Sequence, residues 1–178
     1  MELGYHIAGP ASGELACGEF GSGRMIPVQE IFQHALHLLQ NSNRLKNTRV
    51  LVTAGPTRES LDPVRYLTNH SSGKMGYAAA CAARDMGADV TLVSGPVHLP
   101  APAGITVIPV TTAREMYEAV LNHYEDAHIV VKAAAVADYR PAQTHVHKIK
   151  KDHVLSMNLV QNPDILAELG RRKKHQIL

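Results

Sequence analysis

The stretch Val50-Leu-Val-Thr-Ala54, followed at once by Gly55-Pro56, decides the fold. An unbroken apolar run rich in β-branched residues suits a strand buried on both faces, as in a parallel sheet, and the Gly-Pro pair closes it. A polar loop is expected next. Downstream, Tyr77 to Met86 is rich in alanine and stops at Gly87, which predicts a helix with a small-residue face for close packing on the sheet. Asp89-Val-Thr-Leu-Val93 and Ile105-Thr-Val-Ile-Pro-Val110 predict a second and a third strand, with Pro109 marking a strand end or a sheet edge. Thr112 and Glu115 form a capping box for a helix carrying Met116, Ala119, Val120 and Tyr124. His128-Ile-Val-Val-Lys132 predicts a fourth strand, which runs into a small-residue loop, Ala133-Ala-Ala-Val-Ala137. Strands alternating with helices in this way define an α/β fold: a Rossmann-like, doubly wound, mostly parallel sheet with right-handed connections.

Upstream of Val50 the composition changes. Gly9, Gly13, Gly18, Gly21 and Gly23 crowd a stretch that reads as a loop. Pro27 then sits at an expected first helical turn, before Val28, Ile31, Ala35 and Leu38, with Phe32, Leu36 and Leu39 widening the apolar stripe. Asn41-Ser-Asn43 reads as a linker, so residues 1–43 form a loop-plus-helix appendage and 44–178 the main domain. The 178 residues agree with this division, since about 150 per domain leaves room for one body and an appendage.

With 45% hydrophobic residues the chain has the apolar matter for a core, which excludes global disorder. A net charge of +2 and only 4% aromatics argue against a nucleic-acid coat or a base-stacking platform. No segment reaches the roughly 18 apolar residues of a membrane span, so neither nucleic acid nor membrane is expected as a partner. Cys17 and Cys81 belong to no metal-binding spacing, and the eleven histidines show no HxH or HExxH pattern and read as surface residues. A cytoplasmic, reducing compartment is the expectation.

Ligands of open parallel sheets sit beyond the carboxyl ends of the strands. There the chain carries Gly55-Pro-Thr-Arg58 and Asn69-His-Ser-Ser-Gly-Lys-Met-Gly76. Ser71, Ser72 and Gly73 would put hydroxyls and amide N–H groups at a helix N-terminus, which favours a phosphate or simply caps the helix, and Lys74 adds a full charge. Met75 follows Lys74 where a Walker A loop needs Ser or Thr, and no GxGxxG follows the first strand. Asp138, beyond the fourth strand, can orient a magnesium-bound triphosphate or cap a helix. Lys148-Ile-Lys-Lys151 reads as a solvated, charged edge strand, and Asn162-Pro-Asp-Ile165 as a helix start with Asn162 at the N-cap.

Six ordered motifs, Thr53-Ala-Gly-Pro-Thr-Arg58, Leu61-Asp-Pro-Val-Arg-Tyr66, Asn69 to Gly76, Ala133-Ala-Ala-Val-Ala-Asp-Tyr-Arg140, Lys148 to Lys151 and Asn162 to Ile165, resemble the phosphopantothenoylcysteine synthetases of bacterial coenzyme A biosynthesis. In that family the synthetase is usually the C-terminal half of a bifunctional protein whose N-terminal half is a flavin-dependent decarboxylase. Ala16-Cys-Gly-Glu-Phe-Gly-Ser-Gly-Arg-Met25 resembles the end of that decarboxylase, with Cys17 in the place of its proton-donating cysteine. The resemblance implies a ligase that uses CTP with magnesium to activate the carboxylate of 4'-phosphopantothenate as an acyl-cytidylate, after which the amine of cysteine displaces CMP. It implies that Asn69 holds the acyl-cytidylate and that Lys148 serves nucleotide handling and turnover. Gly55, Ser72, Gly73, Lys74, Met75 and Gly76 fall by the phosphates. Lys132, Ala133, Ala134, Asp138 and the segment Pro163, Asp164, Ile165, Leu166 become nucleotide contacts, the last of these through its backbone. Asp138 is the one tentative metal residue, and magnesium is expected mainly on phosphate oxygens. The family implies a homodimer or larger assembly for the full-length protein.

No flavin-binding segment precedes Met1, so FMN and decarboxylase activity are not expected of this chain alone. The chain is likewise expected to stop short of the family's last strands and their lysines. A nucleotide-binding fragment or structural module without turnover is the alternative reading. A nicotinamide-dependent reductase fits less well, because Asp89 starts the second strand, where a ribose-binding acid would end it.

Overall fold

The computed structural model describes residues 6–15, 18–40, 43–151 and 156–178. The chain divides into two compact units, residues 1–42 and 43–178. Cys17 and most of the expected linker lie outside the described residues.

In the first unit, strands β1 (Ala11–Glu14) and β2 (Phe20–Arg24) form a two-stranded antiparallel ribbon, followed by helix α1 (Val28–Gln40). The helix starts immediately after Pro27, one residue later than the proline pattern placed it. The ribbon corrects the reading of the glycine-rich stretch as loop. Glycines pair through their backbone as any residue does, but they leave no apolar alternation by which a strand can be read.

The second unit is built on β3 (Arg49–Ala54), β6 (Asp89–Ser94), β7 (Thr106–Pro109) and β8 (Ile129–Lys132), which form a parallel sheet in the order β7-β6-β3-β8. Two short antiparallel ribbons join it: β4 (Arg58–Ser60) with β5 (Tyr66–Thr68), and β9 (Tyr139–Pro141) with β10 (Leu159–Gln161). The helices are α2 (Lys74–Asp85), α3 (Ala113–Tyr124) and α4 (Ile165–Arg172).

Strand periodicity sorts the central residues onto two faces. Val50, Val52 and Ala54 of β3, with Val90 and Leu92 of β6, pack against Ala80 and Ala83 of α2. Leu51 and Val93 point the other way, onto Met116, Val120 and Tyr124 of α3 and Ile165 and Leu169 of α4. Both faces are therefore covered, which is why the strands read as continuous apolar runs and why the fold is doubly wound. Pro109 ends the edge strand β7, meeting both readings of that residue. Thr112 makes its capping box with Glu115 as expected.

Three expectations need correction here. The alanine helix begins at Lys74 and not at Tyr77, because Gly73, at φ 74°, turns the chain directly into it. Residues after Gly55 are not a plain polar loop but carry the β4–β5 ribbon, anchored by Arg58 N–H to Thr111 O (2.7 Å) and by buried Glu59, whose Oε1 accepts from Ala113 N–H at the start of α3 (2.8 Å). Residues 148–151 form no strand.

Candidate functional site

The sheet order reverses at β3, since the chain proceeds from β3 to β6 and β7 on one side and returns to β8 on the other. The crevice between the carboxyl ends of β3 and β8 is the place where such sheets bind ligands. Beside it, the loops that follow β3 and β6 meet each other and the start of α2 through glycines. Gly55 and Gly73 both have φ 74°, and a Cβ on Gly73 would lie 3.4 Å from Gly55 Cα and 2.8 Å from Val97 Cγ1. Gly76 lets the first turn of α2 rest on β3, where a Cβ would come within 2.5 Å of Ala54 Cβ and 2.9 Å of Thr53 O. Gly95 closes the neighbouring turn, its missing Cβ falling 1.8 Å from Pro56 O.

The N-terminus of α2 lies at a cavity between the loops that follow β3 and β6, with Ser71 Oγ accepting from Gly73 N–H (3.3 Å) and no side chain capping the helix. Among the described residues no side chain caps its leading amides, and the Lys74 side chain is exposed, the arrangement that favours phosphate at a helix start. Ser71, Ser72, Lys74 and Asn69 line a cavity of about 390 Å³ together with Arg58 and His98. Arg58 and His98 are additions to the residues expected from sequence. Arg58 stood in plain view after the first strand; its guanidinium carbon lies 4.8 Å from the centre of the Tyr66 ring, a contact no spacing announces.

Asn69 joins the two loops of the crevice. Its Nδ2 donates to Val136 O (3.1 Å) and Ala135 O (3.3 Å). Thr57, wholly buried, holds the same loop from beneath: its N–H donates to Ala135 O (3.3 Å), its Oγ1 accepts from Ala137 N–H (2.9 Å), and its O accepts from Thr68 Oγ1 (2.7 Å). Ala133 N–H and Ala134 N–H are tied to Thr53, through its O and Oγ1 respectively. Lys132 closes β8 beside this loop. Partial burial pushes its ammonium pKa down, and the facing carboxylate of Asp164 opposes that shift. Lys132 and Asp164 therefore share one electrostatic neighbourhood.

Asn162 is not the helix N-cap. It is buried, its N–H donating to Asp138 O (2.7 Å) and its Nδ2 to Ala137 O (2.8 Å), while Arg140 donates to its Oδ1 (2.9 Å). Asp164 caps α4 instead, accepting from Ala167 N–H (2.9 Å), so Pro163 precedes the helix. Of the segment that follows, Ile165 belongs to the core and Leu166 is exposed. Met75 is largely exposed on the first turn of α2. Asp138 is exposed, and among the described residues no three His, Cys, Asp or Glu side chains converge. Lys148 is exposed and does not line the cavity, although its neighbour Ile149 is firmly held. No contact of Cys17 can be stated, as it lies outside the described residues.

A switch-point crevice, a glycine-shaped helix start and an amide bridging two loops sit on a doubly wound α/β domain. Residues 45–178 match the DNA/pantothenate metabolism flavoprotein C-terminal domain, and the chain belongs to that family. It is 52% identical over 173 residues to the coenzyme A biosynthesis bifunctional protein CoaBC of Vibrio cholerae, covering 96% of this chain and 43% of that protein. To CoaBC of Escherichia coli K12 it is 48% identical over 177 residues, covering 97% of this chain and 44% of the relative. The chain therefore spans less than half the length of these relatives. Among solved structures, the C-terminal domain of a CoaBC is similar at 50% identity and a TM-score of 0.67, over 76% of this chain and 64% of that one. A Cab2 mutant in complex with phosphopantothenate-cysteine shares the fold, at 19% identity and a TM-score of 0.59, over 80% of this chain and 66% of that one. Among the described residues, no helix is long and apolar enough to cross a membrane.

Proposed function

We propose that this chain is the greater part of a phosphopantothenate–cysteine ligase domain acting in coenzyme A biosynthesis, with CTP as the activating nucleotide. The observation that carries the reading is Asn69, which bridges to the Ala135 and Val136 carbonyls at the mouth of the cavity lined by Ser72 and Lys74. The similarity to CoaBC and the phosphopantothenate-cysteine bound to Cab2 support the same substrate class.

A carboxylate is a poor acyl donor until one of its oxygens is bonded to phosphorus. In the first step that oxygen attacks the α-phosphorus of CTP, the new O–P bond forms, and the bond to pyrophosphate breaks. In the second, the amine of cysteine attacks the acyl carbon, loses a proton, and the C–O bond to CMP breaks. The open amides of α2, with Lys74 and Lys132, offset the charge on the polyphosphate, and Asn69, its amide donors engaged, keeps Oδ1 as an acceptor beside the reacting acyl group. Small residues at Gly55, Gly73, Ala133 and Ala134 let these groups approach the backbone. Magnesium, when bound with CTP, neutralises the phosphates; the exposed, single Asp138 fits a cation whose other ligands are phosphate oxygens and water. Residues 1–43 are read as the end of a flavin-dependent decarboxylase half, with Cys17 acting only in that larger context.

The test is pyrophosphate release by the purified chain with CTP, magnesium and 4'-phosphopantothenate, with and without cysteine, beside an Asn69→Ala control. Release that requires phosphopantothenate and falls by roughly a hundredfold or more in the control is expected, the scale seen when a transition-state donor or acceptor is removed. Intact CTP binding without release would leave a nucleotide-binding module.

A further inference from the structure

The turn that joins β4 to β5 holds a carboxylate whose work lies elsewhere. Asp62 is buried, and its Oδ1 accepts from Val64 N–H and Arg65 N–H, both at 2.9 Å, which shapes the turn. Its Oδ2 faces outward from that turn, accepting from the Arg65 guanidinium and from Ile149 N–H (3.1 Å). Arg65 in turn donates to Ile149 O (3.0 Å). The two side chains thus grip both polar groups of one residue, as a strand partner would, with charge-assisted bonds. Hydrogen bonding to Arg65 holds the Asp62 carboxyl far below the usual carboxylate range. The same edge fastens the segment earlier in its course, through His145 N–H to Leu61 O (2.9 Å) and Thr144 Oγ1 to Ser60 O (3.1 Å).

Ile149 stands next to Lys148, and Arg65 leads through β5 directly into Asn69. One turn therefore ties the segment bearing Lys148 to the strand that delivers Asn69. We infer that Asp62 and Arg65 are positioning residues: by clamping the Ile149 peptide, they set where Lys148 stands relative to the nucleotide that the crevice receives. This rests on the nucleotide reading given under Proposed function.

Asp62→Asn separates this role from the folding of the turn. The asparagine carbonyl can still accept from Val64 and Arg65 N–H, but its NH₂ then opposes both the guanidinium and Ile149 N–H. Ile149→Pro removes the gripped N–H, while also fixing φ there and restricting the backbone of Lys148, and leaves the turn of Asp62 intact. In the full chain, amide exchange at Ile149 should accelerate roughly tenfold in Asp62→Asn, the scale of one lost hydrogen bond to a charged group, while amides of β3 and α2 keep their protection. Affinity for magnesium–CTP should fall in Asp62→Asn and in Ile149→Pro to that of Lys148→Ala, and adding Lys148→Ala to either should cause no further loss. Unchanged exchange at Ile149, or losses that multiply in the double variants, would overturn the inference while leaving the nucleotide reading intact. A wild-type chain that does not bind magnesium–CTP would overturn both.

Discussion

The crevice around Gly55, Gly73 and Gly76 and the segment carrying Lys148 would serve the same ligand, yet they are held in opposite ways. The crevice is shaped by absent side chains: remove nothing and add one methyl, and it meets backbone at 2.9 Å or less at Gly76 and Gly95. The Lys148 segment is held by present side chains, two of them on one peptide, with its own lysines exposed. A site formed by close packing cannot loosen without the sheet, whereas one formed by a clamp can be released locally. Stability and site geometry should therefore be inseparable in the first region and separable in the second.

The largest expected effect is in the crevice. Gly95→Ala and Gly76→Ala should each destabilise the domain by about 1–3 kcal/mol, the range for forcing extra volume into a packed site, with the greater loss at Gly95, where the obstacle is the Pro56 carbonyl. Urea unfolding reads this directly, and an unchanged midpoint for Gly95→Ala would break the contrast. Next, Thr57→Val keeps the shape but leaves Ala137 N–H without its acceptor, a loss of about 1–3 kcal/mol that the same titration would register. By comparison, Ile149→Pro in the clamped segment should move the midpoint by no more than about 0.5 kcal/mol, as expected of a change away from the core; a larger shift would show that the clamp stabilises the fold and not only the segment.

Two titrations sharpen the comparison further. Partial burial lowers the Lys132 pKa, so the side chain loses its proton earlier than an ordinary lysine as pH rises. Magnesium–CTP affinity should fall on the alkaline side, and Lys132→Arg should carry the affinity to higher pH; equal profiles would remove Lys132 from the site. For Asp62 the sign is opposite. A carboxylate with a depressed folded pKa contributes stability that is fully present above its unfolded value, near 3.9, and is lost only as pH falls through the folded one. Protection at Ile149 should thus survive acidification to about pH 4, which exchange measured down that range would check.

The central sheet was legible because burial on both faces writes an uninterrupted apolar run, as in Val50 to Ala54, and the α3 cap was legible because Thr112 and Glu115 are three residues apart. The ribbons β4–β5 and β9–β10 were not, being strands of three residues with mostly exposed side chains. Asn162 misled for a different reason. Its side chain reaches Ala137 O, 25 residues back, so a local capping rule had nothing to say about it, and Asp164 took the cap. In the same way, Asp62 and Ile149 are 87 residues apart, and the sequence around each shows no need of the other. The positions of Ser72, Lys74 and Asn69 in the crevice followed from strand order; the grip on the Lys148 segment depended on tertiary pairing alone.

Thr57 offers its N–H, its hydroxyl and its carbonyl to three different points of the crevice wall, and it does so with no solvent access. A wall so mounted is already in its working arrangement before anything arrives. Encounter with a nucleotide should then be a one-step event on this side, with an observed rate that climbs linearly with concentration in rapid mixing. Any slower, saturating phase would have to originate in the segment that is clamped at the peptide of Ile149.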